Sequence, residues 1–138
     1  MIRAPIALFT VTLLLAACGG QPEGAPSGSQ VVAELSDYKI AVTVPSVKTG
    51  KIKIGVRNVA NMEHSFQVLK TDLAPDKLPV DGASAKAKED GKAGEIPSIL
   101  AGKSNALTLD LGPGKYVFIC NVAGHYQLGM HTGFTVEP

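Results

Sequence analysis

Apolar and polar residues alternate in short runs through most of the chain, with the period of two that a strand with one buried face requires. The clearest run is Lys51-Ile-Lys-Ile-Gly-Val-Arg57, where Ile52, Ile54 and Val56 share one face and Lys51, Lys53 and Arg57 the other. Leu107-Thr-Leu-Asp-Leu111 repeats it with three leucines inward. His64 to Lys70 predicts another strand, with His64, Phe66 and Val68 on one side. Val31 to Val44 holds two apolar clusters around Ser36-Asp37, one bent strand or two short ones, and is ended by Pro45 and a Thr49-Gly50 turn. After a Gly112-Pro-Gly114 turn, Lys115-Tyr-Val-Phe-Ile-Cys120 is apolar on both faces, as in the middle of a sheet. Gly133-Phe-Thr-Val-Glu137 is the last short strand. About seven short strands separated by turns predict an all-β fold, a β-sandwich.

One segment breaks the pattern. Thr71 to about Pro97 is rich in Ala, Lys, Asp and Gly and poor in β-branched residues. Asp81 is placed to cap one short helix in the 80–90 region, through Ala83 to Glu89, with Gly91 ending it. Its mixed charges predict a solvated excursion, the least ordered part of the domain.

The N-terminus has a different logic. Arg3, the apolar run Ile6 to Leu15 and small residues Ala16-Ala17 read as a secretory signal peptide over residues 1–17, too short for a comfortable membrane span. Leu15-Ala-Ala-Cys18 resembles the lipobox of bacterial lipoproteins, which implies cleavage before Cys18 and lipidation of that residue. Acyl chains anchor a protein to a membrane without spanning it. Residues 18–30 then form the lipidated Cys and a flexible tether, chiefly Gly, Pro, Ser and Gln with one Glu. Residues 31–138 have the length of one domain. The expected location is the cell envelope, as a membrane-anchored lipoprotein facing the periplasm or the cell exterior.

Charge and cysteine usage narrow the function. Without Arg3 the chain carries twelve Lys/Arg against twelve Asp/Glu, so nothing suggests nucleic acid, which needs a basic excess. With Cys18 lipidated, Cys120 is the single remaining thiol in an oxidising compartment and has no disulfide partner. It opens Cys120-Asn-Val-Ala-Gly-His125-Tyr-Gln-Leu-Gly-Met130, which spaces a thiol, an imidazole and a thioether. Two His and one Cys with a weak axial Met is a donor set used for copper electron transfer. The one upstream histidine, His64, supplies the second imidazole. His131 adjoins Met130 but points elsewhere on a turning strand, and reads as a surface histidine.

Tyr116-Val-Phe-Ile-Cys120, the Cys-x4-His-x4-Met loop and Gly133-Phe-Thr-Val136 resemble the C-terminal half of the cupredoxins, the blue copper proteins of the plastocyanin and azurin family. Asn58 to Phe66 resembles that family's upstream ligand segment. The resemblance implies a Greek-key β-sandwich with one type 1 copper ion at one end. His64, Cys120 and His125 are then strong equatorial ligands and Met130 the long axial one. It also implies one-electron transfer with redox partner proteins, no catalysis at the metal, and a monomer that meets its partners through weak contacts. The competing expectation is a copper-binding protein for delivery or resistance. Three histidines in total are too few for a multicopper enzyme. Two positions depart from common family patterns. Ser65 stands where many relatives have Asn, and Ala123 where many have Pro.

Overall fold

The computed structural model describes residues 20–138, so the expected signal peptide and Cys18 lie outside the described residues. Eleven strands follow in order: β1 (Val31–Ser36), β2 (Lys39–Val42), β3 (Ser46–Lys48), β4 (Gly50–Asn58), β5 (His64–Lys70), β6 (Val80–Asp81), β7 (Lys86–Ala87), β8 (Lys92–Ile99), β9 (Ser104–Leu111), β10 (Gly114–Ile119) and β11 (His131–Glu137). They form a four-stranded sheet in the order β2-β1-β4-β9, a five-stranded sheet in the order β3-β11-β10-β5-β8, and the small β6-β7 pair.

The alternating strands face one another across the sandwich. Ile52, Ile54 and Val56 of β4 and Val31, Ala33 and Leu35 of β1 meet Phe66, Val68, Tyr116, Phe118 and Phe134 of the opposite sheet in one buried core. Phe118 is its centre, stacked on Phe134 at 4.7 Å and tilted against Phe66 at 5.2 Å. Burying each such ring stabilises the fold by roughly 1.5–3 kcal/mol. β4 pairs with β9 in unbroken register from Gly50↔Leu111 to Arg57↔Ser104, because a one-residue slip would turn Ile52, Ile54 and Val56 outward.

β10 is central, between β11 and β5, as its two apolar faces predict. Its outer residues Val117 and Ile119 build a second cluster with Leu69, Leu78, Ala87 and Tyr126. That cluster corrects the expectation for residues 71–97. Most of the segment is exposed, but Leu78, Val80 and Ala87 cover the outer face of the five-stranded sheet. Tyr126 ties it down, its hydroxyl accepting from the Leu78 N–H and donating to the Pro75 carbonyl, both at 2.8 Å.

No helix forms at 83–89. Asp81 caps a turn instead, its carboxylate accepting from the Ala83 N–H at 3.0 Å and the Ser84 hydroxyl at 3.1 Å. Seven residues without an apolar stripe gain little from helix formation, whereas β7 buries Ala87 and bonds it to Asn121. β8 was also hidden, because Pro97 and two charged residues obscure its alternation. It is an edge strand paired with β5, and its register shifts between His64↔Ile99 and Phe66↔Ile96. Edges and bulges are where a sheet tolerates Pro.

Residues 23–30 are the third difference. They lie along β4 rather than hanging free as a flexible tether. The Lys53 side chain donates to the Ser27 carbonyl, and Gln30 exchanges bonds with the Lys53 backbone. Glycine and serine lower the cost of close backbone approach as readily as they lower stiffness.

Candidate metal centre

Four turns meet at one end of the sandwich: Ser36–Lys39, Asn58–His64, Ile99–Ser104 and Cys120–His131. The site is built from the second and fourth. His64 is the first residue of β5 and fully buried, because the inward row of that strand begins with it. Cys120 directly follows β10 and is also fully buried. The loop then turns back, with the Cys120 N–H donating to the Met130 carbonyl and the Met130 N–H to the His125 carbonyl. Those two bonds clamp its three chemically active residues onto one short frame.

The donor atoms converge. His64 Nδ1 lies 3.2 Å from His125 Nδ1, and Cys120 Sγ lies 3.7 Å and 3.6 Å from those nitrogens. The point equidistant from all three is about 2.0 Å from each, close to the bond length of an imidazole nitrogen to a first-row divalent metal. Without a cation one imidazole can donate its Nδ1–H to the other; a cation between them would use both lone pairs and the sulfur. His64 Nε2 is buried and, among the described residues, has no hydrogen-bond partner. A ligating imidazole usually anchors that nitrogen; this ring has no such anchor and takes its position from the strand that carries it and the residues packed around it. A mixed nitrogen and sulfur set in a trigonal arrangement suits copper, and the residues therefore fit the ion.

Met130 is fully buried and belongs to the same core cluster as Cys120. His131 stays out of the site. Its half-buried ring tilts on Tyr126 at 5.1 Å. The apolar residues near His125 divide, Val122 packing inward while Leu128 is 60% exposed.

Sequence reasoning missed three contributors. The Ser65 backbone N–H donates to Cys120 Sγ at 3.3 Å, so β5 supplies a ligand and a bond to the sulfur from successive residues. Asn58, read only as the start of the segment leading to His64, is fully buried, donates to the Met62 and Ile99 carbonyls and accepts from the Ala60 N–H. An asparagine closing an alternating strand was the available signal. Tyr38, held at φ 55°, sets its ring edge-on to His125 at 5.2 Å, and nothing local in the sequence announces that contact.

Burial lowers the affinity of both imidazoles for protons. For His64 desolvation is the larger cause and the neighbouring His125 adds to it, while Asp37 opposes; for His125 desolvation acts. Both rings stay neutral, and able to ligate, to a lower pH than free imidazole. In the metal-free protein the unfolded chain binds these protons more readily. The stability held above the ordinary value of 6.5 is therefore lost as pH falls below it toward the depressed folded values. Urea unfolding of the metal-free protein at pH 7.5 and at pH 5 should show this loss. Equal midpoints after correction with a His64→Gln, His125→Gln variant would refute it.

By sequence, no family model and no curated protein matches the chain. By structure, it is similar to reduced auracyanin from Roseiflexus castenholzii, with 23% identity, TM-score 0.56, and 80% of this chain and 100% of that one covered. Rusticyanin from Thiobacillus ferrooxidans matches with 18% identity, TM-score 0.59, and coverage of 78% and 75%. Auracyanin A, a "blue" copper protein from Chloroflexus aurantiacus, matches with 18% identity, TM-score 0.52, and coverage of 77% and 98%. The chain has the cupredoxin fold. Within that cupredoxin sandwich the donor cluster sits at the end where β5 begins and β10 finishes.

Proposed function

We propose that this cupredoxin is a type 1 copper electron carrier, held at a membrane of the cell envelope by lipid on Cys18. The observation that carries the reading is the convergence of His64 Nδ1, His125 Nδ1 and Cys120 Sγ within 3.2–3.7 Å of one another. Copper bound there supplies one electron at a time by cycling between Cu(II) and Cu(I). The chain's own part is to hold the donors still. His64 and Cys120 are fixed by strands of the packed core and shielded from water, so a change of charge moves them little. The Ser65 N–H stabilises negative charge on the Cys120 sulfur, and hydrogen bonding to that sulfur tunes the potential. His125 is the one donor of the three only half-buried, which makes its edge the short path to a partner. Full burial of His64 and Cys120 favours a carrier over delivery, which needs ligands open to exchange.

A visible spectrum with one equivalent of Cu(II), before and after ascorbate, tests the reading. An intense red band that bleaches reversibly supports a carrier; a pale complex, or copper lost on reduction, gives first place to delivery or resistance. We assign Met130 as the fourth residue that would hold the copper, its thioether favouring Cu(II). Met130→Leu should keep the copper and raise the potential. A tenfold weaker hold on the oxidised ion corresponds to about 59 mV, and a rise of that order is expected by cyclic voltammetry. An unchanged potential would point to another axial group.

A further inference from the structure

The segment before β1 ends at a telling place. Glu23 is clasped at the metal end of the sandwich by the turn between β8 and β9. Its carboxylate accepts from Lys103 Nζ and the Ser104 N–H, both at 2.9 Å. Its backbone N–H donates to the Gly102 carbonyl at 2.8 Å, and its carbonyl accepts from Arg57 Nε at 3.1 Å. Ser104 Oγ adds a bond to the Gly24 carbonyl at 2.8 Å. Lower down, Pro26 and Ser29 fill a notch on the outer face of β4 that exists because residue 55 is glycine. A Cβ there would come within 2.4 Å of Ser29 Oγ and 3.1 Å of the Pro26 ring. One exposed ion pair holds little, but this run joins side-chain, backbone and shape complementarity over eight residues.

The clasp is at the same end as the donor cluster. The Lys103 carbonyl accepts from the Asn58 N–H, Asn58 bonds the Ile99 carbonyl, and Ile99 is the register partner of His64. We propose that residues 23–30 are a strap that delivers a membrane-anchored N-terminus to the metal end, so that the face around His125 and Leu128 is held toward the bilayer. This rests on the reading of Cys18 as the lipidated residue. Lengths decide the orientation. Five residue-to-residue steps lead from Cys18 to Glu23 and reach at most about 18 Å when fully extended. β4 alone, nine residues long, spans about 30 Å. With the strap closed, the far end of the sandwich cannot replace the metal end at the surface. With it open, attachment moves to Gln30 beside Lys53, and the twelve steps from Cys18 reach about 42 Å, enough for either end. A partner that meets the donor cluster within so short a leash fits a protein embedded in the same membrane.

The test uses the full lipidated chain, metal-free and 15N-labelled, on lipid nanodiscs carrying a gadolinium chelate on their headgroups. The expected result is selective loss of amide signal at residues 59–63, 100–103 and 123–129, with residues 48–51 and 111–114 retained. Equal loss at both ends, or loss at the far end, would overturn the orientation while leaving the anchor intact. Protein that stays off the discs would overturn the anchor and the orientation together. Two variants ask whether the strap is the cause. Glu23→Ala opens the clasp, and Gly55→Val fills the notch on an outward strand face without touching the core. Each should make the loss more even between the two ends, and the double variant most of all. A pattern unchanged in the double variant would mean that something other than the strap sets the orientation.

Discussion

Replacing Cys120 with Ala is expected to abolish the red copper band proposed above while leaving a folded sandwich. The thiolate is the single sulfur among the three converging donors, and the intense red absorption depends on it. The fold survives because β10 is buried for other reasons: Tyr116, Val117, Phe118 and Ile119 pack into cores on both faces of the sheet. There is a cost. The Ser65 N–H, buried and 3.3 Å from the sulfur, loses its acceptor, and an unpaired buried donor costs about 1–3 kcal/mol. Against a domain stability of roughly 5–15 kcal/mol that is tolerable. Cys120→Ser separates the two roles, since its hydroxyl can accept the Ser65 N–H. It should recover part of the lost stability in urea and none of the red band. A Cys120→Ala protein whose Cu(II) spectrum matched the parent would remove Cys120 from the site.

The same residues show what a sequence makes legible. The three converging donors could be read because their chemistry is local: Cys120 and His125 sit on one loop, and His64 has no upstream competitor. The strands could be read wherever one face is wet, as in β4 and β9, since alternation is then visible. β8 and the strap could not. β8 presents Glu95, Pro97 and Ser98 to solvent at a sheet edge, so its inward residues Ile96 and Ile99 look isolated. The strap is held by its main-chain groups, by the side chains of Glu23 and Gln30 and by the absence of a side chain at Gly55, and two polar residues in a run of Gly, Pro and Ser do not announce a clasp.

The 71–90 segment failed for a related reason. Its few large apolar residues are too widely spaced to show a period; Leu78 and Ala87 are buried, and Val80 partly so, against residues of β5, β10 and the ligand loop, while Leu73 is exposed. Tertiary contact, not local preference, decides their structure. Asp81 illustrates the ambiguity, because an aspartate that caps a helix and one that closes a turn make the same kind of bond. What distinguishes the two is whether the following residues have a surface to cover, and here only Ala87 does.

Asn58→Ala is expected to damage stability and metal binding together. Its side chain is fully buried and satisfies three backbone groups: Nδ2 donates to the Met62 carbonyl at 2.7 Å and the Ile99 carbonyl at 2.9 Å, and Oδ1 accepts from the Ala60 N–H at 3.0 Å. These bonds fix both ends of the turn that leads into His64, and the β8 residue opposite it. Alanine leaves all three groups unpaired. At about 1–3 kcal/mol for each buried group, reduced where the turn relaxes toward water, a loss of roughly 2–4 kcal/mol should appear in urea unfolding of the metal-free protein. His64 lacks a bond of its own at Nε2, so its ring depends on this frame more than a tethered ligand would. Losing such outer support typically lowers metal affinity about 10- to 100-fold, and competition with a chelator should show a drop of that size. Asn58→Asp sharpens the test. It keeps the acceptor for Ala60 but turns a carboxylate toward two carbonyl oxygens, so it should be at least as damaging at neutral pH. The damage should shrink as the pH falls and the carboxyl gains a proton it can donate. If Asn58→Ala lost stability but bound copper with unchanged affinity, Asn58 would hold the turn without holding His64, and the ring would owe its position to the core alone.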